Sequence, residues 1–175
     1  ALTATEILAL ADRLRARYAY DALSRRTSLT LPNGTSTSYT YDPASQVTNI
    51  LHQIVSSATQ INQAAYAYNQ VGNRTSLTDR RGAQSFGYDT LDRQTEMEFA
   101  DGSKRLSVYN NASDLTSYTD ENGSVFAFSY DAMGRKTSVS ITKASGVLGT
   151  DSQSFEYDGL SRLTRSLDTI SSTSA

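Results

Sequence analysis

An all-β fold, a long antiparallel meander of hairpins, is predicted by three observations on the 175-residue sequence. Tyr followed by Asp or Asn recurs at Tyr20, Tyr41, Tyr68, Tyr88, Tyr109, Tyr130 and Tyr157, at intervals of 21, 27, 20, 21, 21 and 27 residues. Seven residues after every one of these tyrosines stands a threonine: Thr27, Thr48, Thr75, Thr95, Thr116, Thr137 and Thr164. Around both positions apolar and polar residues alternate, the period of a half-buried strand. A tandem repeat outranks other sequence signals, because each unit buries little alone and must stack on its neighbours.

The first strand of each repeat leads into its Tyr. Tyr18, Tyr39, Tyr66, Phe86, Phe128 and Phe155 each lie two residues upstream, and only Ser107 breaks the pattern. Both aromatics of a pair therefore project from one face of a strand. A turn follows, with Asp or Asn at its first position, an apolar residue two further on (Leu23, Ala44, Val71, Leu91, Ala112, Met133, Leu160), and then a small or left-handed-tolerant residue, most clearly Gly72 and Gly134. This suits a type I turn followed by a bulge, with the Asp as turn cap. The second strand carries the Thr and, two residues on, Leu29, Ile50, Leu77, Met97, Tyr118 or Val139, with Ser166 the polar exception. Ser28, Asn49, Ser76, Glu96, Ser117, Ser138 and Arg165 lie between them. A second turn is marked by Gly34, Gly82, Gly102 and Gly123, three of them preceded by Asn33, Asp101 or Asn122, a hairpin signal in which both central residues tolerate positive φ.

Seven repeats of two strands predict about fourteen strands, which an open twisted sheet accommodates by curling. The array spans residues 18–168. The two long repeats place protruding loops at Gln53 to Gln63 and at Lys143 to Gln153. Residues 1–17 have two readings: an amphipathic helix over Ala4 to Arg17 with Ile7, Leu10, Ala11 and Leu14 on one stripe, or a truncated upstream repeat, which the match of Leu2-Thr3 to Leu115-Thr116 favours. The last repeat stops near Asp168, and residues 169–175 are expected to be a disordered tail.

Composition excludes several classes. A formal charge of −2 with scattered Arg gives no basic footprint for nucleic acid or anionic membrane. No cysteine is present, so disulfides and thiolate metal sites are out, and no apolar run reaches the length of a membrane span. The N-terminal stretch lacks the pattern of a secretory signal, which for an exported parent lies outside this chain. One carboxylate per repeat is too sparse for a calcium ladder, and no other cofactor is implied. His52, expected in a loop or at a strand end, is the single histidine, which removes histidine triads and multi-histidine metal centres. Glu96 and Glu98 share a predicted solvated strand face rather than forming an acid and base pair. No catalytic, cofactor or metal residues are assigned.

The stretch Tyr130-Asp131-Ala132-Met133-Gly134-Arg135-Lys136-Thr137 resembles the RHS/YD-repeat family, whose motif runs Tyr-Asp-x-x-Gly-Arg-x-Thr. Tyr20-Asp21 with Arg25 and Thr27, Tyr88-Asp89 with Arg93 and Thr95, and Tyr157-Asp158 with Arg162 and Thr164 repeat the match. Other copies depart from it: Asn69 and Asn110 replace Asp, and Gln46, Asn73 and Asp114 replace Arg. Those replacements keep turn chemistry, so the Asp is read as shaping a turn while the Tyr and Thr set the register. The resemblance implies a β-sheet strip forming a segment of a β-spiral shell, as in bacterial polymorphic toxins, insecticidal toxin complexes and teneurins. In the toxins the shell encloses a C-terminal toxic cargo. The family's self-cleaving core signature has no counterpart here; Asp42-Pro43-Ala44-Ser45 lies inside an ordinary repeat.

The leading functional reading is therefore a non-catalytic structural module, the wall of a toxin-encapsulating shell or a cell-surface scaffold, secreted or surface-exposed as part of a larger bacterial protein. Its expected partners are neighbouring repeats of the longer parent, a toxin cargo, and copies of itself through exposed edges. The rival reading is a carbohydrate-binding or adhesion module, with Tyr130 and Phe128 as a glycan platform.

Overall fold

The computed structural model describes residues 3–6 and 15–170. Its strands form one antiparallel sheet in which each strand's neighbours are its neighbours in sequence. By contacts the chain divides into two compact units, Ala1–Gln84 and Ser85–Ala175. The first holds β1 (Arg17–Tyr20), β2 (Arg26–Thr30), β3 (Thr35–Tyr41), β4 (Val47–Ile54), β5 (Thr59–Tyr68), β6 (Arg74–Asp79) and the start of β7 (Gly82–Tyr88). The second continues through β8 (Gln94–Glu98), β9 (Lys104–Tyr109), β10 (Leu115–Thr119), β11 (Val125–Tyr130), β12 (Lys136–Thr142), β13 (Ser152–Tyr157) and β14 (Leu163–Thr169). The all-β meander and its fourteen strands follow the expectation from the repeat.

The Tyr turns have one geometry throughout. At the sixth, the N–H of Asp131 donates to the Arg135 carbonyl at 3.0 Å and that of Gly134 to the Asp131 carbonyl at 3.0 Å. The residue four after each Tyr has positive φ in all seven copies: Ser24, Ser45, Gly72, Asp92, Ser113, Gly134 and Ser161. Five of these are not glycine, so the turn holds an L-residue in the left-handed region wherever its neighbours fix it. The second turns at Gly34, Gly102 and Gly123 repeat this pattern, for instance Asp120 N–H to Ser124 carbonyl at 3.0 Å. Here the Gly has positive φ while Asn33, Asp101 and Asn122 do not. The expected turn with two positive-φ residues is thus replaced by a longer type I turn with a single left-handed position.

The threonine has a different role from the one its regularity suggested. In β2, Ser28 faces Ala19 and Arg26 faces Tyr20, which leaves Thr27 as the extra residue of a β-bulge. The same skip falls on Thr48, Thr75, Thr95, Thr116, Thr137 and Thr164. Threonine marks where the register breaks in every copy, and a bulge of this kind bends the strand and increases its twist.

Packing is thin, as a single sheet layer dictates. The only apolar residues among those described that are buried are Phe86 and Val139, at 7% and 5% exposure. Each faces the hydrophobic partner the repeat supplies: Phe86 lies opposite Met97, and Val139 opposite Phe128. Tyr39 opposite Ile50 and Tyr66 opposite Leu77 repeat the arrangement. Where the upstream aromatic is missing, at Ser107, the residue across the ladder is Tyr118. One aromatic per cross-strand pair is thus kept there by exchanging the two positions.

Three boundaries differ from expectation. Most of Gln53 to Gln63 is strand, because β4 and β5 extend the hairpin and leave only Val55 to Ala58 as its turn. The other insertion is a loop from Lys143 to Asp151, tied by an ion pair between those two residues at 2.6 Å. Thr169, expected in a disordered tail, ends β14 and accepts from the Asp151 N–H at 2.8 Å, while residues 171–175 lie outside the described residues. At the other end Ala4, Thr5 and Glu6 are helical, with the Thr3 hydroxyl and the Glu6 carboxylate capping each other, and residues 7–14 lie outside the described residues.

Candidate functional site, the lock between successive repeats

The chemistry of this sheet is concentrated at its Tyr turns. In the sixth copy Asp131 Oδ1 accepts the N–H groups of Met133 and Arg135 at 2.9 and 3.0 Å, and Oδ2 accepts Arg135 Nε at 2.7 Å. Asp21, Asp89 and Asp158 make the same set of contacts in their copies. The N–H of Arg135, then the Arg135 guanidinium, hold the Asp131 carboxyl below its ordinary value, and Asp21 is lowered by the equivalent groups of Arg25. One carboxylate thus closes the turn and anchors an arginine.

That arginine reaches forward. Arg135 Nη1 donates to the Asp158 carbonyl at 3.2 Å and to Ser161 Oγ at 3.3 Å, and its guanidinium lies 4.9 Å from the centroid of the Tyr157 ring. Arg25 makes the same three contacts with Asp42, Ser45 and Tyr41, and Arg93 makes them with Asn110, Ser113 and Tyr109. Each partner belongs to the next repeat. The side chains of Arg25, Arg93 and Arg135 are 22–24% exposed, whereas Arg162, with no described repeat after it, is 74% exposed.

The tyrosines close the lock from the opposite direction. The backbone ladder joining β12 to β13 starts at Ser138, two residues beyond Lys136. At that open end the Tyr157 hydroxyl donates to the Lys136 carbonyl at 2.9 Å. Tyr41, Tyr68, Tyr109 and Tyr130 donate in the same way to Arg26, Val47, Gln94 and Leu115. The acceptor always lies six residues after the preceding repeat's Tyr, beside the bulge threonine. Burial raises the Tyr68 and Tyr130 hydroxyl pKa values. Adjacent repeats are therefore joined by backbone in mid-strand and by side chains at the Tyr turns.

Two of the copies without Arg keep part of the arrangement in altered form. In the fifth copy Asn110 Nδ2 donates to Asp114 Oδ2 at 2.9 Å, reversing the polarity of the Asp and Arg pair. In the second, Gln46 Nε2 lies 2.9 Å from where a Cβ on Gly72 would sit. Gly72 occupies the turn position that carries Ser45, Ser113 and Ser161 elsewhere, so the Gln reaches the same place in the next repeat as the Arg does. With φ at +94°, Gly72 is required both by its backbone and by that approach.

Of the proposed glycan platform, Tyr130 donates its hydroxyl to Leu115, and the Lys136 ammonium lies 4.4 Å from the Phe128 ring centroid. His52 lies within β4, its Nδ1 3.0 Å from the Thr37 hydroxyl, rather than in a loop or at a strand end. Glu96 and Glu98 share Lys104, at 2.7 and 3.1 Å. The sequence showed the arginine as a motif position but not its contact with the next repeat. Its signal was present in the pairing of two positions four residues apart, where Asp with Arg is exchanged for Asp with Gln or Asn with Asp.

Three segments, residues 20–52, 63–104 and 109–148, match the RHS Repeat family profile, together more than half of the chain. The chain belongs to the RHS-repeat family. No curated protein matches it. Among solved structures, its fold is similar to a chain of the Photorhabdus luminescens Tc holotoxin pore, with a TM-score of 0.52 and 14% identity over 90% of this chain. It is also similar to a chain in the crystal structure of TcdB2-TccC3, with a TM-score of 0.51 and 14% identity over 86% of this chain. The match covers 11% of each of those chains. The RHS repeat here is a structural repeat module, and its Tyr, Asp and Arg are the parts that fasten one copy to the next.

Proposed function

We propose that this chain is a wall segment of a larger RHS-repeat protein that surrounds a toxic cargo or builds a cell-surface scaffold, and that it carries no catalysis of its own. The observation that carries this reading is the lock. The chemically versatile groups of the repeat are spent on the array itself instead of converging on a pocket: Arg reaches the next repeat, Tyr the preceding one, and Asp holds the Arg of its own turn. The similarity in fold to Tc toxin chains supports the same reading.

The test is made on the complete parent protein. Electron microscopy of the purified product is expected to show a hollow particle, and limited proteolysis is expected to spare a segment that is digested when expressed alone. An extended particle with no enclosed volume, together with rapid digestion of every segment outside the repeats, would overturn the shell reading.

A further inference from the structure

The hairpin of β4 and β5 extends past its neighbour. On one side β5 pairs with β4 from Thr59, opposite Ile54, to Ala65, opposite Asn49. On the other, its ladder with β6 begins only at Ala65, opposite Thr78, and β6 ends at Asp79. Among the described residues, 59–64 therefore have no strand beside them on the β6 side. Such an edge presents alternating N–H and C=O groups to whatever approaches. Exposed edges are ordinarily blunted by charge or proline. The segment Thr59-Gln60-Ile61-Asn62-Gln63-Ala64 has neither.

The edge borders a cavity of about 500 Å³ lined by Gln60, Ile61, Asn62, Gln63, Asp79 and Arg80. Ile61 is 49% exposed, a β-branched apolar side chain available for contact. Asp79 is bound by Arg81 at 2.7 Å, so with Arg80 the wall carries two cations against one carboxylate. An extended backbone matches the open edge, an apolar side chain matches Ile61, and a carboxylate matches the excess positive charge. A second copy of this edge is a poorer match, because residues 59–64 include no acid.

We propose that the open edge of β5 receives an extended acidic peptide segment by strand addition, with an apolar side chain of that segment on Ile61 and a carboxylate facing Arg80. Main-chain hydrogen bonds supply the affinity in this mode of recognition, and alternate side chains supply selectivity. The site is independent of the shell reading, since it depends on one hairpin.

The experiment titrates the isotopically labelled full chain with a blocked Thr-Val-Glu-Val-Thr-Glu peptide, followed by NMR. Saturable shifts are expected at residues 59–64 and at Arg80 and Arg81. N-methylation of the peptide on the residues facing the edge is expected to weaken binding about tenfold, as loss of two or more hydrogen bonds requires. Arg80→Glu is expected to weaken the glutamate peptide and leave its glutamine counterpart unchanged, and Ile61→Thr is expected to weaken both. Shifts that are absent or spread over the sheet, or equal binding by the N-methylated peptide, would overturn the proposal. So would sedimentation showing a dimer in which the edge amides are already protected.

Discussion

At the residue scale the arginine five places after Tyr20, Tyr88 and Tyr130 bonds to two repeats at once. Replacing Arg135 by Ala removes its bonds to Asp158 and Ser161 and its contact with Tyr157. The expected loss is about 2–4 kcal/mol in urea unfolding, the sum of a partly buried cation–π contact and a charged hydrogen bond. Arg135→Lys is expected to recover little, because a point ammonium cannot pair with Asp131 through Nε and reach forward through Nη1 together. Full stability in Arg135→Ala would show that the forward contacts are idle. The aspartates give a pH signature. Asp21, Asp89, Asp131 and Asp158 are all lowered, so they contribute stability above the unfolded carboxylate value and lose it as pH falls through their folded values. The melting temperature is therefore expected to drop below about pH 4. Asp131→Asn, which copies the caps at Asn69 and Asn110, is expected to melt lower at neutral pH and to flatten that drop.

At the element scale the hairpin is defined by a turn, a bulge and one aromatic cross-strand pair. The turn and the strand alternation were legible in sequence, because both follow from local sterics and a period of two. A bulge after the turn was legible as well, but its place at the threonine was not, since a threonine in every copy fits a regular strand as well as a broken one until the opposing residues are known. The pair of Ser107 and Tyr118 shows what the register adds. Tyr118 also lies 5.9 Å from Phe126 between ring centroids, so the aromatic is used on both sides of β10. Ser107→Phe alone is expected to overpack this site and cost about 1–3 kcal/mol. Ser107→Phe with Tyr118→Val restores the arrangement of the other copies and is expected to regain at least half of that loss in a double-mutant cycle. Simple additivity of the two changes would show that the positions do not share a volume.

At the scale of the whole molecule, the first and last repeats among the described residues show half of the lock. Tyr20 is 61% exposed at one end, whereas Tyr157, in the same position of a repeat that follows another, is half-buried. Leu163, Leu167 and Ile170 are exposed by 55%, 46% and 66% at the other. Terminal strands with unpaired backbone and uncovered apolar side chains associate. Concentration-dependent sedimentation and binding of a hydrophobic dye are expected, both reduced by Leu167→Lys. A strict monomer that binds no dye would contradict this.

The sequence by itself determined the repeat, its two strands, its turn residues and its family, because each depends on residues within about ten places of one another along the chain. Only the tertiary structure decided that threonine breaks the register, that tyrosine spends its hydroxyl on the preceding repeat, and that arginine binds the following one. The tyrosine and arginine contacts join residues some 15 to 26 places apart, such as Tyr41 with Arg26 and Arg135 with Ser161, and the bulge is defined by which residues face each other across the hairpin. Their geometry exists only after neighbouring strands have paired, so the local pairing of Asp with Arg four residues apart marks the position without giving its partner in the next repeat. The open edge of β5 has the same origin: it arises from the unequal lengths of adjacent hairpins.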